Sequence, residues 1–310
     1  MMPQGTVARA VVRWTGAIVA VGCAAAAPAP ANRAAVAVAG PIPRGSLVIV
    51  GGGPRTDEMM RRFVELAGGP RARIVVFPMA TASAAETGPA LASELRRLGA
   101  AAWSLNLTRE DAMRDSVARG LDSATGIWFA GGDQNRLMAA LEGTPVAAAI
   151  RARYRAGAVI GGTSAGAAVM TTPMITGNER RPGGARPDTT QSWITISADN
   201  VITADGLGLL ADALVDQHFL RRRRHNRLIS LVLEHPSRIG VGIDESTALV
   251  VEPSGWWSVI GESSVVVYDA RAAAVTPKGS PVLGARDVRM HVLPPGSRFD
   301  PRSGRVELPR

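Results

Sequence analysis

The chain has 310 residues, of which 46% are hydrophobic and 20% are charged, so it can bury a substantial core and does not have the composition of a disordered protein. Its formal net charge is +9, but every basic residue except Lys278 is an arginine, and most of these are dispersed outside the run Arg221–Arg224. Because aromatic residues make up only 4%, base stacking is disfavoured and we expect no nucleic-acid partner.

The N-terminal residues show the features of an export signal. Arg9 and Arg13 precede the short apolar run WTGAIVAVG, which ends at Cys23, the single cysteine of the chain. A basic start, a short apolar stretch and small residues are typical of such signals, and the run is too short to span a bilayer comfortably. A lone cysteine also excludes a disulfide or a cysteine-based zinc site within one chain.

The residues before Cys23 are small and resemble a bacterial lipoprotein signal, in which that cysteine is lipidated after cleavage. Ordinary cleavage after the alanines at 24–26 is the alternative, and a cytosolic extension is a third interpretation. We predict a signal over 1–23, an Ala/Pro-rich linker over 24–44 and one domain over 45–310. The protein is then exported, as a periplasmic, extracellular or envelope-anchored protein that touches the membrane only through a lipid at Cys23.

From Ser46 onward, apolar runs alternate with amphipathic helical patterns. The predicted strands are SLVIVGGG, RIVVFPMATA, AAWSLNL, GIWFAGGDQ and AVIGGTS, each separated from the next by a helical segment. Continuous apolar strands joined by helices indicate an α/β fold with a mostly parallel sheet and helices on both faces. After about residue 195, shorter strands with turn signals between them predict an antiparallel C-terminal β extension.

The sequence Gly162-Thr163-Ser164-Ala165-Gly166 matches G-x-S-x-G, the nucleophile elbow, and lies where a predicted strand becomes a helix. Such a turn strains the serine backbone, needs small neighbours, and points the next backbone N–H at a developing oxyanion. A tight turn with an incidental serine is the alternative. Of the four histidines, His218 directly follows an apolar run and is the best placed general base, against the alternative of a structural histidine.

Five segments in this order resemble cyanophycinases, serine peptidases related to aspartyl dipeptidase with a fold like that of class I glutamine amidotransferases. The segments are FAGGDQNRL, GGTSAGAAVM, GLGLL, DQHFLRRRRHNRL and GVGIDESTA, and the resemblance covers roughly residues 46–270. The family usually has a serine-aspartate pair where this chain has Thr171 and Thr172, which bears on the substrate more than on the reaction.

The resemblance implies a role for individual residues. Ser164 is the implied nucleophile, His218 the general base and Glu179 the acid of the triad, with Asp188 as the alternative acid. The implied oxyanion hole consists of the backbone N–H groups of Gly131, Gly132 and Ala165. The implied substrate-binding residues are Gln134, Asp216, Gln217, Arg222, Arg224 and Arg227.

Cyanophycin, the substrate that the resemblance implies, is a poly-aspartate backbone with arginine linked to each β-carboxyl group, and its cleavage yields β-Asp-Arg. Arginines such as Arg222 suit the carboxylates of this ligand, and Asp216 and Glu245 suit its guanidinium group. The alternative is that the arginine run is a solvated face and the Glu245 segment a turn.

Other classes of protein fit less well. A glutamine amidotransferase needs a cysteine at the elbow, and an α/β-hydrolase esterase has its histidine after the acid, near the chain end. An exported aspartyl dipeptidase and a non-catalytic surface binding module on the same fold stay open. We expect a serine-type exopeptidase that uses no metal and no cofactor and forms a homodimer. It is expected to hydrolyse cyanophycin or related β-aspartyl peptides to β-Asp-Arg dipeptides through an acyl-enzyme.

Overall fold

The computed structural model describes residues 43–310. The predicted export signal at 1–23, Cys23, and residues 24–42 of the predicted linker lie outside the described residues. No helix within 43–310 combines the length and the apolar character that crossing a membrane requires.

The described residues form α-helices and β-strands that we number in chain order. The helices are α1 (Asp57–Leu66), α2 (Ala84–Arg97), α3 (Arg109–Ala112), α4 (Asp115–Arg119), α5 (Gln134–Leu141), α6 (Pro145–Ala156), α7 (Ala165–Ala168) and α8 (His225–Glu234). The first nine strands are β1 (Leu47–Val50), β2 (Arg73–Phe77), β3 (Ala101–Ser104), β4 (Gly126–Phe129), β5 (Val159–Thr163), β6 (Met174–Arg181), β7 (Gly184–Pro187), β8 (Val201–Ala204) and β9 (Ala213–Gln217). The later strands are β10 (Ile239–Ile243), β11 (Thr247–Val251), β12 (Trp257–Gly261), β13 (Val265–Asp269), β14 (Ala274–Val275), β15 (Ala285–Arg286), β16 (Arg289–Leu293), β17 (Arg298–Asp300) and β18 (Arg305–Glu307).

The largest sheet has nine strands in the order β18-β17-β12-β11-β1-β5-β4-β2-β3. The five predicted strands β1 to β5 pair in parallel, and β11, β12, β17 and β18 continue the sheet with antiparallel pairing. The predicted fold class, a largely parallel sheet with an antiparallel C-terminal extension, is therefore confirmed.

Both faces of this sheet are buried, which explains why its strands are continuous apolar runs. In β1, Val48 and Val50 pack in a cluster with side chains from α1 and α2. Leu47 and Ile49 point the other way, into a cluster with side chains from α5, α6 and α7. The alternation that places consecutive strand residues on opposite faces thus puts helices on both sides.

A second sheet, in the order β16-β13-β10-β9, packs against the first. Val215 and Val241 point into the same cluster as Leu47 of the large sheet. The opposite face of the second sheet is covered by α8, where Leu228 packs in a cluster with Leu214. The four-stranded sheet therefore lies between the large sheet and α8.

Two segments differ from their sequence patterns. The helical pattern over 134–156 is broken into α5 and α6, because Gly143 adopts a φ of 69° and Thr144 caps a new helix that has Pro145 in its first turn. Residues 174–187, where the sequence predicted no strand, form β6 and β7, which pair with β8 in a small antiparallel sheet of order β7-β6-β8. This sheet supplies one wall of the pocket described below.

Candidate active site

Ser164 lies on a sharp turn between β5 and α7, with φ 54° and ψ −109°. A positive φ is uncommon for a residue with a side chain, and this combination of φ and ψ stores strain. The flanking glycines are required by close packing, because a Cβ atom at Gly162 would lie 2.6 Å from the Gly166 oxygen, and one at Gly166 would lie 2.4 Å from the Phe129 oxygen. The G-x-S-x-G motif therefore has glycine at both positions because the turn leaves no room there for a Cβ atom.

His218 follows β9 and contacts the serine directly. The distance between Ser164 Oγ and His218 Nε2 is 2.8 Å, which is a hydrogen bond in the orientation that general-base catalysis needs. His218 is 8% exposed, and its backbone N–H donates to the Gly51 oxygen at 2.7 Å, at the end of β1. The structure thus brings together the two residues that the sequence predicted as nucleophile and base.

The carboxylate that orients His218 belongs to Glu245. His218 Nδ1 lies 2.6 Å from Glu245 Oε1, so a serine, a histidine and a carboxylate form one hydrogen-bonded chain. Glu245 follows β10, and its neighbour Ser246 donates its backbone N–H to the Gly52 oxygen at 2.9 Å. The sequence alone had indicated Glu245 only as a partner for a substrate guanidinium group.

The structure does not support the prediction that Glu179 or Asp188 orients His218. One carboxylate oxygen of Glu179 accepts the Trp193 backbone N–H at 3.0 Å, and the other accepts Arg181 Nε at 2.5 Å. Asp188 instead pairs with the Arg224 guanidinium. Both carboxylates hold the segment after β6 in place. The carboxylate that contacts the imidazole is that of Glu245.

The glycines after β1 make room for this arrangement, a role that was not predicted from the sequence. A Cβ atom at Gly52 would lie 2.3 Å from His218 Cε1, and one at Gly53 would lie 2.9 Å from Glu245 Cβ. Both glycines also have positive φ angles, 117° and 67°. The triple glycine at the end of an apolar run was the available signal, since such a run of glycines marks a close approach.

We predict that Gly52→Ala lowers kcat/KM on the order of a hundredfold, because displacing His218 by even about 1 Å disrupts its alignment with Ser164. Steady-state kinetics together with circular dichroism test this prediction. Gly69→Ala is a matched control, since Gly69 also has a positive φ but a Cβ atom there would meet nothing within 4 Å. Equal losses in both variants would attribute the effect to backbone strain alone.

The environment of His218 favours its neutral form. Burial lowers the pKa of His218 most strongly, the positive charges of Arg222 and Arg224 lower it further, and the hydrogen bond to Glu245 opposes them. The net effect is a pKa below the ordinary value of 6.5. A neutral imidazole at neutral pH can accept the serine proton, as a general base must.

The pH dependence of kcat/KM follows from this shift. We predict an acidic limb below pH 6.5, with the rate rising as pH rises through the lowered pKa of His218. Arg222→Gln should move the limb to higher pH, because it removes a positive charge that lowers the pKa. A pH-rate profile of both proteins tests this. A limb above about pH 7 in the parent protein would contradict it.

The predicted oxyanion donors lie around the serine. Ala165 is the first residue of α7, where a helix leaves its N–H groups without an intrahelical acceptor. Gly131 and Gly132 follow β4, and a Cβ atom at Gly131 would lie 3.5 Å from Ser164 Cβ. Within residues 43–310, neither glycine donates its N–H to a backbone or side-chain acceptor. These N–H groups are free to bind an oxyanion.

Ser164 opens into a polar cavity of about 460 Å³. Four of the six predicted substrate-binding residues line this cavity, namely Gln134, Gln217, Arg222 and Arg224. Arg222 is exposed, whereas Arg224 is 4% exposed and donates to both Gln217 Oε1 and the Gln217 backbone oxygen at 2.7 Å. The remaining wall is formed by residues of the β4–α5 turn and of β6.

Asp216 and Arg227 do not line the cavity. Arg227 is fully buried, donates its Nε to Asp216 Oδ2 at 2.6 Å, and packs its guanidinium over the Trp193 ring at 4.7 Å from the centroid. The other Asp216 oxygen is also bonded to Arg227 and accepts the Gln217 N–H. The structure does not support the prediction that Asp216 and Arg227 contact substrate, because their buried ion pair lies behind the cavity wall.

Within residues 43–310, no three His, Cys, Asp or Glu side chains are arranged to hold a metal ion. The chemistry available at the site is that of a serine activated by a histidine–carboxylate pair beside free backbone N–H groups. This combination is found in serine hydrolases on several unrelated folds.

Comparison with known proteins agrees with that class. Residues 47–256 match the model of peptidase family S51. The chain is 38% identical over 251 residues to a cyanophycinase of Trichormus variabilis, covering 78% of this chain and 80% of the relative. It is 33% identical over 279 residues to a cyanophycinase of Geminocystis herdmanii, covering 85% of this chain and 98% of the relative.

A solved structure with the same fold is that of a peptidase from an acI-B1 Actinobacterium. The two structures superpose with a TM-score of 0.61 at 23% sequence identity, over 84% of this chain and 98% of the other. The chain belongs to peptidase family S51 and is a serine-type peptidase. The resemblance inferred from the five sequence segments is confirmed.

Proposed function

We propose that the protein hydrolyses cyanophycin to β-Asp-Arg dipeptides through an acyl-enzyme. The observation that carries this proposal is the hydrogen-bonded chain of Ser164, His218 and Glu245 at the base of a polar cavity. The relatives named as cyanophycinases match this chain over most of its length, which favours the same substrate.

In the proposed mechanism, His218 Nε2 takes the proton of Ser164 Oγ as that oxygen attacks the scissile carbonyl carbon. The carbonyl oxygen becomes an oxyanion and accepts hydrogen bonds from the N–H groups of Ala165, Gly131 and Gly132. His218 then donates its proton to the leaving amine, and a water molecule hydrolyses the acyl-enzyme with His218 again as base. Glu245 keeps the imidazole in the required tautomer and stabilises the imidazolium ion.

The cavity suits a zwitterionic peptide. The exposed guanidinium group of Arg222 is available for a substrate carboxylate, since within 43–310 its side chain has no hydrogen-bond or ion-pair partner. Gln134 and Gln217 offer amide groups for the peptide bonds of the substrate. Arg224 contributes positive charge while it is held by Asp188 and Gln217.

Incubation with purified cyanophycin beside an α-linked Asp-Arg peptide, with products identified by mass spectrometry, tests the substrate. We expect release of β-Asp-Arg alone. Cleavage of only the α-linked peptide would indicate an aspartyl dipeptidase. Cleavage of neither, with Ser164 still reactive toward a phosphonate, would indicate a peptidase with another substrate, and an unreactive serine would indicate a non-catalytic binding module.

We also propose that the protein acts outside the cytoplasm, on the evidence of its N-terminal sequence. The basic start, the apolar run and Cys23 support removal of the first residues and lipidation of the cysteine. An exported enzyme would meet cyanophycin released by lysed cells. Fractionation of the source cells and sequencing of the mature N-terminus test this proposal, and a full-length cytosolic protein would contradict it.

The predicted homodimer stays a prediction. Light scattering coupled to size-exclusion chromatography of the mature protein measures its mass in solution, against a chain mass of 32.3 kDa before any processing. A mass equal to one processed chain would contradict the prediction.

A further inference from the structure

Asp133 is the one acidic residue among the described residues that line the cavity. It is exposed and precedes α5, where one of its carboxylate oxygens accepts the Asn135 N–H at 2.8 Å. Within residues 43–310, the other oxygen accepts no hydrogen bond and the carboxylate forms no ion pair. The cavity therefore holds one negative charge with free bonding capacity.

Three other carboxylates near the site are already paired. Asp216 binds Arg227, Asp188 binds Arg224, and Glu245 binds His218. The predicted recognition of a substrate guanidinium group by Asp216 is therefore not available. Among the described residues that line the cavity, Asp133 and Arg222 carry opposite charges without an ion-pair partner, which matches a ligand with one carboxylate and one guanidinium group.

The backbone around Asp133 is hydrogen-bonded and closely packed beside the predicted oxyanion donors. The Asp133 N–H donates to the Ala80 oxygen at 2.8 Å, and a Cβ atom at Gly132 would lie 2.2 Å from that same oxygen. Gly131 and Gly132 are the two residues directly before Asp133. A substrate residue whose carbonyl oxygen accepted hydrogen bonds from these glycines would therefore lie beside the segment that carries Asp133.

We propose that Asp133 binds the guanidinium group of the arginine linked to the substrate aspartate, and so determines specificity for a positively charged side chain. This inference rests on the proposed function, since it assigns one part of that substrate to one residue of the same cavity. A guanidinium group can donate two parallel N–H bonds to a carboxylate, which gives direction as well as attraction.

Calorimetric titration of the Ser164→Ala variant, which keeps the cavity and does not turn over, tests the inference. The probes are β-Asp-Arg and β-Asp-citrulline, whose urea group has nearly the same shape without the charge. We expect the arginine dipeptide to bind about tenfold more tightly. Adding Asp133→Asn should remove this preference and leave the citrulline dipeptide unaffected.

Asn caps a helix as well as Asp does, so Asp133→Asn should keep α5 intact, and a role in capping alone would not change the preference. Asp122→Asn is the matched control, because Asp122 is exposed and lies outside the cavity lining. Equal binding of both dipeptides by Ser164→Ala, no binding of either, or a preference that survives Asp133→Asn would overturn the inference. The proposed function is judged separately, by whether the parent protein cleaves cyanophycin.

Discussion

Replacing Ser164 by alanine is expected to lower kcat by about 10⁴- to 10⁶-fold. The change removes the oxygen that lies 2.8 Å from His218 Nε2 and is positioned to attack a carbonyl carbon. Substrate binding and the oxyanion N–H groups remain, so a small residual rate is expected. The alanine side chain is smaller than that of serine and adds no clash, so the fold should be unchanged.

The measurement is the rate of peptide hydrolysis together with labelling by a serine-reactive phosphonate, which the variant should lose. Ser116→Ala is the control, since Ser116 is exposed on α4 and makes no side-chain hydrogen bond within the described residues. Activity within tenfold of the parent would contradict the role of Ser164. Complete loss of parental activity on adding a chelator would also count against it.

Replacing Glu245 by glutamine is expected to lower kcat by about 10³- to 10⁴-fold. An amide at this position can donate a hydrogen bond to His218 Nδ1, which stabilises the wrong tautomer, and it no longer stabilises the imidazolium ion. Because Glu245 is partly exposed and glutamine has the same shape, a large loss of thermal stability is not expected.

Glu179→Gln and Asp188→Asn are the informative comparisons, since the sequence pointed to these two residues. Neither carboxylate contacts the imidazole and each pairs with an arginine, so each variant should keep kcat within about tenfold and lose some thermal stability. Kinetics and melting temperatures of the three variants separate the roles. An active Glu245→Gln beside an inactive Glu179→Gln would return the acid to Glu179.

The parts of the site that the sequence predicted are those that local geometry determines. Ser164 lies in a short motif whose glycines, turn and flanking elements can all be read from neighbouring residues. His218 follows a single apolar run, so its place at a strand end could be read in the same way. The order of parallel strands and helices was predictable for a similar reason, because each element carries its own pattern of burial.

The partner of His218 could not be predicted, because it depends on how two strands pair. β9 and β10 are parallel, with Gln217 opposite Ile243, so the residues just after both strands meet at one edge. That register brings Glu245 to His218. The sequence of the intervening helix α8 does not predict this pairing. The spacing expected from the resemblance pointed to Glu179, which lies on β6 in a different sheet.

The number of residues that line the substrate cavity was overestimated from the sequence for a related reason. In the arginine-rich segment after β9, the sequence does not distinguish an arginine that binds substrate from one that is paired with an aspartate of the same chain. Arg224 receives its partner Asp188 from the loop after β7, and Arg227 is covered by Trp193 from the same loop. Only the folded arrangement separates Arg222, which is free, from these two.

The catalytic chain is divided between two sheets, with Ser164 at the end of a strand of the nine-stranded sheet and His218 and Glu245 after strands of the four-stranded one. The rate of hydrolysis therefore depends on how these two sheets, the layers of the fold, are aligned. A sliding of one layer by about 1 Å lengthens the Ser164–His218 contact while every strand keeps its hydrogen bonds. In mild denaturant, hydrolysis should therefore cease at a lower denaturant concentration than the one at which the far-ultraviolet circular dichroism changes. A substitution such as Val241→Ala, in the core between the layers, should widen the difference between these two concentrations.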